Sequence, residues 1–65
     1  MKNQNEKIRE IRKARGLTLQ ELSALTGIDT SRLSKFERGL VDITVGQLRE
    51  IAKSLGISIE EFFDE

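Results

Sequence analysis

The sequence contains no Cys, His, Trp, Tyr or Pro. Without thiols there is no disulfide, and without thiols or imidazoles a zinc site of the usual kind is excluded. The same absences remove the common nucleophile and the common general base. The remaining Ser and Lys residues form no triad-like pattern. Glu60 and Glu61 are neighbours, so on a helix they point different ways and make a poor acid/base pair. The glycines are isolated, which leaves no phosphate-cradling loop. No enzymatic activity, no metal and no cofactor are expected. Aromatic residues are scarce, three Phe in all. No apolar run approaches the ~18 residues that a membrane span requires. Residues 1–7 lead into no apolar stretch, so no signal peptide is expected. The lack of Cys fits a reducing compartment, and the expected location is the cytoplasm.

What is present is a 65-residue chain, 34 % charged and 37 % hydrophobic. That length suits one small domain, expected over residues 1–65. A chain of this size buries only ~60 % of its unfolded surface, so its core is thin. Regular helices or a partner chain must compensate. Eleven basic and eleven acidic residues cancel, but they are unevenly spread. Residues 1–15 hold six basic and two acidic groups, a net +4, whereas residues 42–65 hold two basic and six acidic, a net −4. One half can approach an anionic partner while the other stays away.

Periodicity and punctuation together predict an all-α chain of five helices. Ile8, Ile11 and Ala14 mark one face of a first helix, opened by Asn3 or Asn5 and closed by Gly16. Thr18 and Glu21 form a capping box that opens a second helix, with Leu22 and Leu25 inward and a stop at Gly27. Asp29 caps a third helix bearing Leu33 and Phe36, stopped at Gly39. Thr44 and Gln47 make a second box opening a helix with Leu48, Ile51, Ala52 and Leu55, stopped at Gly56. Ser58 and Glu61 suggest a third box and a short fifth helix carrying Phe62. Agreement between caps, stops and apolar spacing makes the helical reading consistent at every level.

The second and third helices are joined by Thr26-Gly27-Ile28-Asp29, a short turn with a Gly, as a helix-turn-helix unit requires. Ser23 and Ala24 are small where the helices approach, and Ile28 seals the corner. With Leu22, Leu25, Leu33 and Phe36 facing the core, the third helix presents Thr30, Ser31, Arg32, Ser34, Lys35 and Arg38 outward. Short hydroxyls and long cations on a helix suit base edges and phosphates of a major groove.

Over Ile8 to Phe62 the chain resembles the Cro/CI-type (XRE-like) helix-turn-helix family of bacterial and phage repressors. The resemblance is carried by Ile8-Arg9-Glu10-Ile11-Arg12, Gly16-Leu17-Thr18, Glu21-Leu22-Ser23, Thr26-Gly27-Ile28, Leu33 through Gly39, and Leu48 through Ile57. It implies a compact lambda-repressor-like domain, with Thr30, Ser31 and Lys35 reading bases and Arg32 and Ser34 assisting. It implies phosphate contacts from Thr18 and Gln20 at the start of the second helix and from Arg38. Arg12 and Glu37 match a pair that in relatives forms a largely buried ion pair. Three positions depart from the family pattern. Leu19 stands where a phosphate-gripping Gln is usual, the loop Leu40-Val41-Asp42-Ile43 lacks a cation and a Pro, and Asp29 places a carboxylate at the start of the third helix.

The resemblance implies a repressor that binds double-stranded DNA as a homodimer, its two third helices entering successive major grooves of a symmetric operator. The dimer surface is expected from Ile59, Phe62 and Phe63, with Leu40 and Val41 joining; of the two phenylalanines, Phe62 suits the core better and Phe63 the surface. A second reading remains open, in which the scaffold serves mainly protein contact, as in an antitoxin or an anti-repressor's partner. The acidic end, Glu60-Glu61-Phe62-Phe63-Asp64-Glu65, and the apolar loop suit that reading.

Overall fold

The computed structural model describes residues 4–62. Four α-helices follow in order: α1 (Gln4–Ala14), α2 (Leu19–Thr26), α3 (Thr30–Glu37) and α4 (Val45–Leu55). A single 3₁₀ turn, Ile59–Phe62, stands where the fifth helix is expected. No strand occurs among the described residues. Asn3 and Phe63, singled out above, lie outside the described residues.

Two of the three expected capping boxes form as read. Thr18 Oγ1 accepts from the Glu21 amide at 3.0 Å, and the Glu21 carboxylate accepts from the Thr18 amide at 2.8 Å. Thr44 and Gln47 repeat the arrangement, both bonds at 3.0 Å. Each box satisfies two amides that the first turn of a helix leaves without partners. The third box does not form. The Glu61 amide bonds the Ser58 carbonyl at 3.0 Å, the i→i+3 bond of a 3₁₀ turn, so it has no need of the Ser58 hydroxyl. Ser58 Oγ accepts from the Glu60 amide instead. The five-helix reading therefore becomes four α-helices and one 3₁₀ turn.

The helix stops follow the glycines. Leu17 bonds back to Arg12, Leu40 to Lys35 and Ile57 to Ala52, each just after a glycine, closing the helix ends with Schellman-type bonds. At Gly27 the closure is the simpler one, its amide to the Ser23 carbonyl at 2.8 Å, with φ +77°. Nothing lies within 4 Å of a methyl group built there. Glycine is needed at this corner for its left-handed backbone and not for space.

The core gathers Ile8, Leu22, Ile28, Leu33, Phe36, Leu48, Ile51, Ala52, Leu55 and Phe62. Each helix contributes, and α2 packs against both α3 and α4. Three expectations need correction. Leu25 is 56 % exposed, because α2 buries a narrow face centred on Leu22. Ala14 is exposed, on the outward side of a last turn whose Arg12 is buried and whose Ile11 packs against the core. Asn5 does not open α1 but lies within it, and its side-chain amide donates to the Glu37 carbonyl at 3.3 Å, tying the start of α1 to the end of α3.

Truncation separates the two leucines of α2. Leu22→Ala should cost about 2–5 kcal/mol by leaving a cavity, whereas Leu25→Ala should change stability by no more than about 0.5 kcal/mol. Urea denaturation of the two variants checks this, and equal losses would contradict the burial assignment.

Candidate nucleic-acid interface

The geometry of the helix-turn-helix begins with two hydroxyls. Thr26 Oγ1 donates to the Leu22 carbonyl at 2.9 Å and accepts from the Ile28 amide at 3.2 Å. Ser23 Oγ donates to the Ile28 carbonyl. Both polar groups of the Ile28 backbone are thus satisfied while its side chain seals the corner at 5 % exposure. Sequence reasoning valued Ser23 for its size and Thr26 for its place in the turn, and missed both hydroxyls as braces. The hydroxyl type at these two positions was the available signal.

Asp29 then starts α3, its carboxylate accepting from the Ser31 amide at 2.9 Å. That bond gives the carboxylate a local partner and fixes where the helix begins. Leu33 and Phe36 turn inward. The opposite face carries Ser31, Lys35 and Arg38, all exposed, with Ser34 half-buried beside them. Spacings of three, four and seven bring these four side chains into one row. Thr30 is half-buried at the start of the helix. Arg38 donates from Nε to the Ser34 carbonyl at 3.4 Å, which lays its side chain back along α3.

Arg32 is placed differently from the row. Its guanidinium donates to the Asp42 carbonyl at 2.7 Å, and so holds the loop between α3 and α4. This bond ties α3 to a loop that lacks the proline usual in the family. Leu40 in that loop is 64 % exposed, while Val41 and Ile43 pack against the core.

At the start of α2, Thr18 and Gln20 are exposed. The Thr18 hydroxyl and amide are both engaged in the capping box, so amides further into the first turn and the Gln20 side chain remain for an anion. Leu19 is half-buried and packs against the core; its apolar side chain serves packing where a Gln would reach outward. Of the surface expected for a second copy, Ile59 packs against the core and Phe62 is 3 % exposed. Phe62 is therefore a core residue, as its place on the last turn favoured, and it is withdrawn from the expected partner surface.

Arg12 and Glu37 form a buried ion pair, each residue 8 % exposed. Arg12 Nε donates to one carboxylate oxygen at 2.7 Å and a terminal nitrogen donates to the other at 2.9 Å. The second terminal nitrogen donates to the Leu17 carbonyl at 2.8 Å. The bond to Glu37 raises the Arg12 pKa above its ordinary value, against the opposing effect of burial. Among the described residues, no buried side-chain nitrogen or oxygen lacks a partner. None of the described helices is long and apolar enough to cross a membrane, and no described cluster of acidic residues could hold a metal ion.

This architecture has close parallels. The helix-turn-helix family model matches residues 8–62, and the chain belongs to that family, the Cro/CI-type helix-turn-helix transcriptional regulators. The chain is 36 % identical over 59 residues to an HTH-type transcriptional regulator of Rickettsia prowazekii, a match covering 91 % of this chain and 45 % of the relative. The chain spans about half the length, or less, of the first curated relatives it matches. Among solved structures, SinR of Bacillus subtilis, the master regulator for biofilm formation, superposes in its complex with DNA with a TM-score of 0.88 at 29 % identity, covering 94 % of this chain and 98 % of that one. The restriction-modification controller protein C.AhdI from Aeromonas hydrophila superposes with a TM-score of 0.89 at 32 % identity, covering 92 % and 91 %.

Removing one member of the buried pair leaves an uncompensated charge. Glu37→Leu or Arg12→Met alone should cost roughly 3–5 kcal/mol, while the double replacement by apolar groups should recover much of the loss. Chemical denaturation of the two single variants and the double variant tests this. Because the folded-state pKa of Arg12 is raised, its stabilising contribution is complete below the ordinary arginine pKa and is lost only as pH rises through the folded value. The penalty for Glu37→Leu should therefore stay level between neutral and mildly alkaline pH.

Proposed function

We propose that the protein is a sequence-specific DNA-binding transcriptional regulator that acts as a homodimer and represses by occupying a promoter. In this reading α3 enters the major groove. The observation that carries it is the exposed row of Ser31, Ser34, Lys35 and Arg38 on a helix whose other face is locked into the core. Lys35 donates to guanine O6 and N7, and Ser31 and Thr30 read less selectively. The amides at the start of α2, with Gln20 and Thr18 beside them, clasp one phosphate, and Arg38 contacts another. Arg32 helps by holding the loop as well as by any contact of its own. The likeness to SinR, solved bound to DNA, supports the same docking.

One unit offers few base contacts, so two copies bind half-sites about 34 Å apart on a two-fold symmetric operator. Leu40, 64 % exposed, supplies the apolar contact between copies. Val45, 59 % exposed at the start of α4, joins it, and Val41 and Ile59 contribute the edges that the core leaves uncovered. The same exposed residues favour the protein-contact reading as a second possibility, which the test below separates.

Fluorescence anisotropy with the duplex upstream of the protein's own gene, beside a scrambled duplex of equal length, is the direct test. Preference for the first duplex and a steep salt slope are expected. Lys35→Ala should lose about 1–3 kcal/mol of discrimination between the duplexes. Binding to neither at low salt would overturn the proposal in favour of a protein partner. Sedimentation of Leu40→Asp should show a monomer where the unaltered chain self-associates.

A further inference from the structure

The net positive charge of residues 1–15 has no place in the docking described so far. Its position on the fold gives it one. Arg9 and Lys13 stand one turn apart on α1, about 6 Å along the axis, and both are exposed. With Arg38 they border an open groove between α1 and α3 that reaches Ser34 and Leu19, the first residue of α2. The groove is thus continuous with the outward row on α3 and with the start of α2.

The charge of this groove is unusually one-sided for a chain of zero net charge. The Arg12–Glu37 pair also lines it, and its two charges cancel through a bidentate contact. That leaves Arg9, Lys13 and Arg38 uncompensated by any carboxylate lining the groove. Among the described residues no ion pair or hydrogen bond engages the side chain of Arg9 or Lys13. Glu6 and Glu10 line a neighbouring recess that Arg9, Lys13 and Arg38 border as well, but neither carboxylate lines the groove that reaches Ser34 and Leu19. A flexible Lys and a forked Arg, spaced like neighbouring phosphates on one strand, suit a phosphodiester backbone and carry no base preference.

We infer that Arg9 and Lys13 of α1, with Arg38, form a second phosphate-binding track that holds the DNA backbone beside the α2–α3 reading head. This rests on the DNA-binding reading above and extends it to a helix outside the helix-turn-helix. The track positions and strengthens; base discrimination stays with α3.

The test is the salt dependence of DNA binding by the full chain, measured by anisotropy on the specific and scrambled duplexes between 50 and 200 mM salt. Each phosphate contact contributes a slope of about 0.9, which is about 3.5-fold in affinity over that range. For the R9Q/K13Q double variant the slope should therefore fall by about 1.8, so that the unaltered protein loses about 12-fold more affinity than the variant across the range. The ratio of specific to scrambled binding should not change, and the thermal melt followed by circular dichroism should be unaltered. Lys53→Gln, which removes one exposed cation from α4, should leave the slope as it is. Binding with an unchanged slope in the double variant would overturn the track alone. A loss confined to the specific duplex would also overturn it, since that assigns the residues to base reading. If the unaltered protein binds no duplex at low salt, both the track and the DNA-binding reading fall together.

Discussion

The Arg12 guanidinium is the point on which the arrangement of the first three helices depends. It sits near the end of α1, grips Glu37 at the end of α3 with two hydrogen bonds, and reaches the Leu17 carbonyl just before α2 with a third. Five N–H donors in a planar fork suit this three-way contact, and an ammonium group would not reproduce it. Burial of the pair is costly unless geometry is good and every donor is used. Here both carboxylate oxygens are bonded, and each of the three guanidinium nitrogens makes a hydrogen bond, the third to a backbone carbonyl. Among the described residues ten apolar side chains form the buried core; with no disulfide available, this polar contact adds a directional constraint to apolar packing, which has none.

That orientation decides what α3 shows to the outside. Glu37 is turned inward together with Leu33 and Phe36, so the opposite side of an eight-residue helix carries the hydroxyls and cations. The turn before it is braced by Ser23 and Thr26, whose hydroxyls satisfy the Ile28 backbone. Arg32 steadies the loop that follows. In the proposed function the base-reading helix is held at both ends, because a side chain can select a base only if its backbone position is fixed. The same ion pair also removes two charges from the groove between α1 and α3, which leaves the surrounding cations to set its potential.

Residues of similar type proved legible to different degrees, for local reasons. Thr18 with Glu21 and Thr44 with Gln47 could be read as caps because both partners lie within one turn of each other. Ser58 with Glu61 has the same spacing, yet the backbone closed a 3₁₀ turn and took the Glu61 amide first. Leu22 and Leu25 share a type and a helix, but their burial depends on which side of α2 the other helices occupy, and this is not written in a spacing of three. Asn5 looked like a cap because Asn favours caps; its partner, the Glu37 carbonyl, is 32 residues away. The outward row of α3 was legible because Leu33 and Phe36 define the inner face. The engagement of Arg32 with Asp42 was not, since exposed arginines have many local options.

The sequence by itself determined the helical class, the starts of α2, α3 and α4, the glycine stops and the helix-turn-helix corner. These rest on interactions between residues a few positions apart: capping hydroxyls, left-handed glycines and apolar spacing. It also supplied the Arg12–Glu37 pairing, through likeness to a family. Only the tertiary structure decided which leucine of α2 is covered, that Arg32 serves a loop, and that Arg9 and Lys13 share a groove with Arg38. Each of these depends on the relative placement of whole helices. That placement follows from the summed packing of a thin core around one buried ion pair, and no local stretch of sequence contains it.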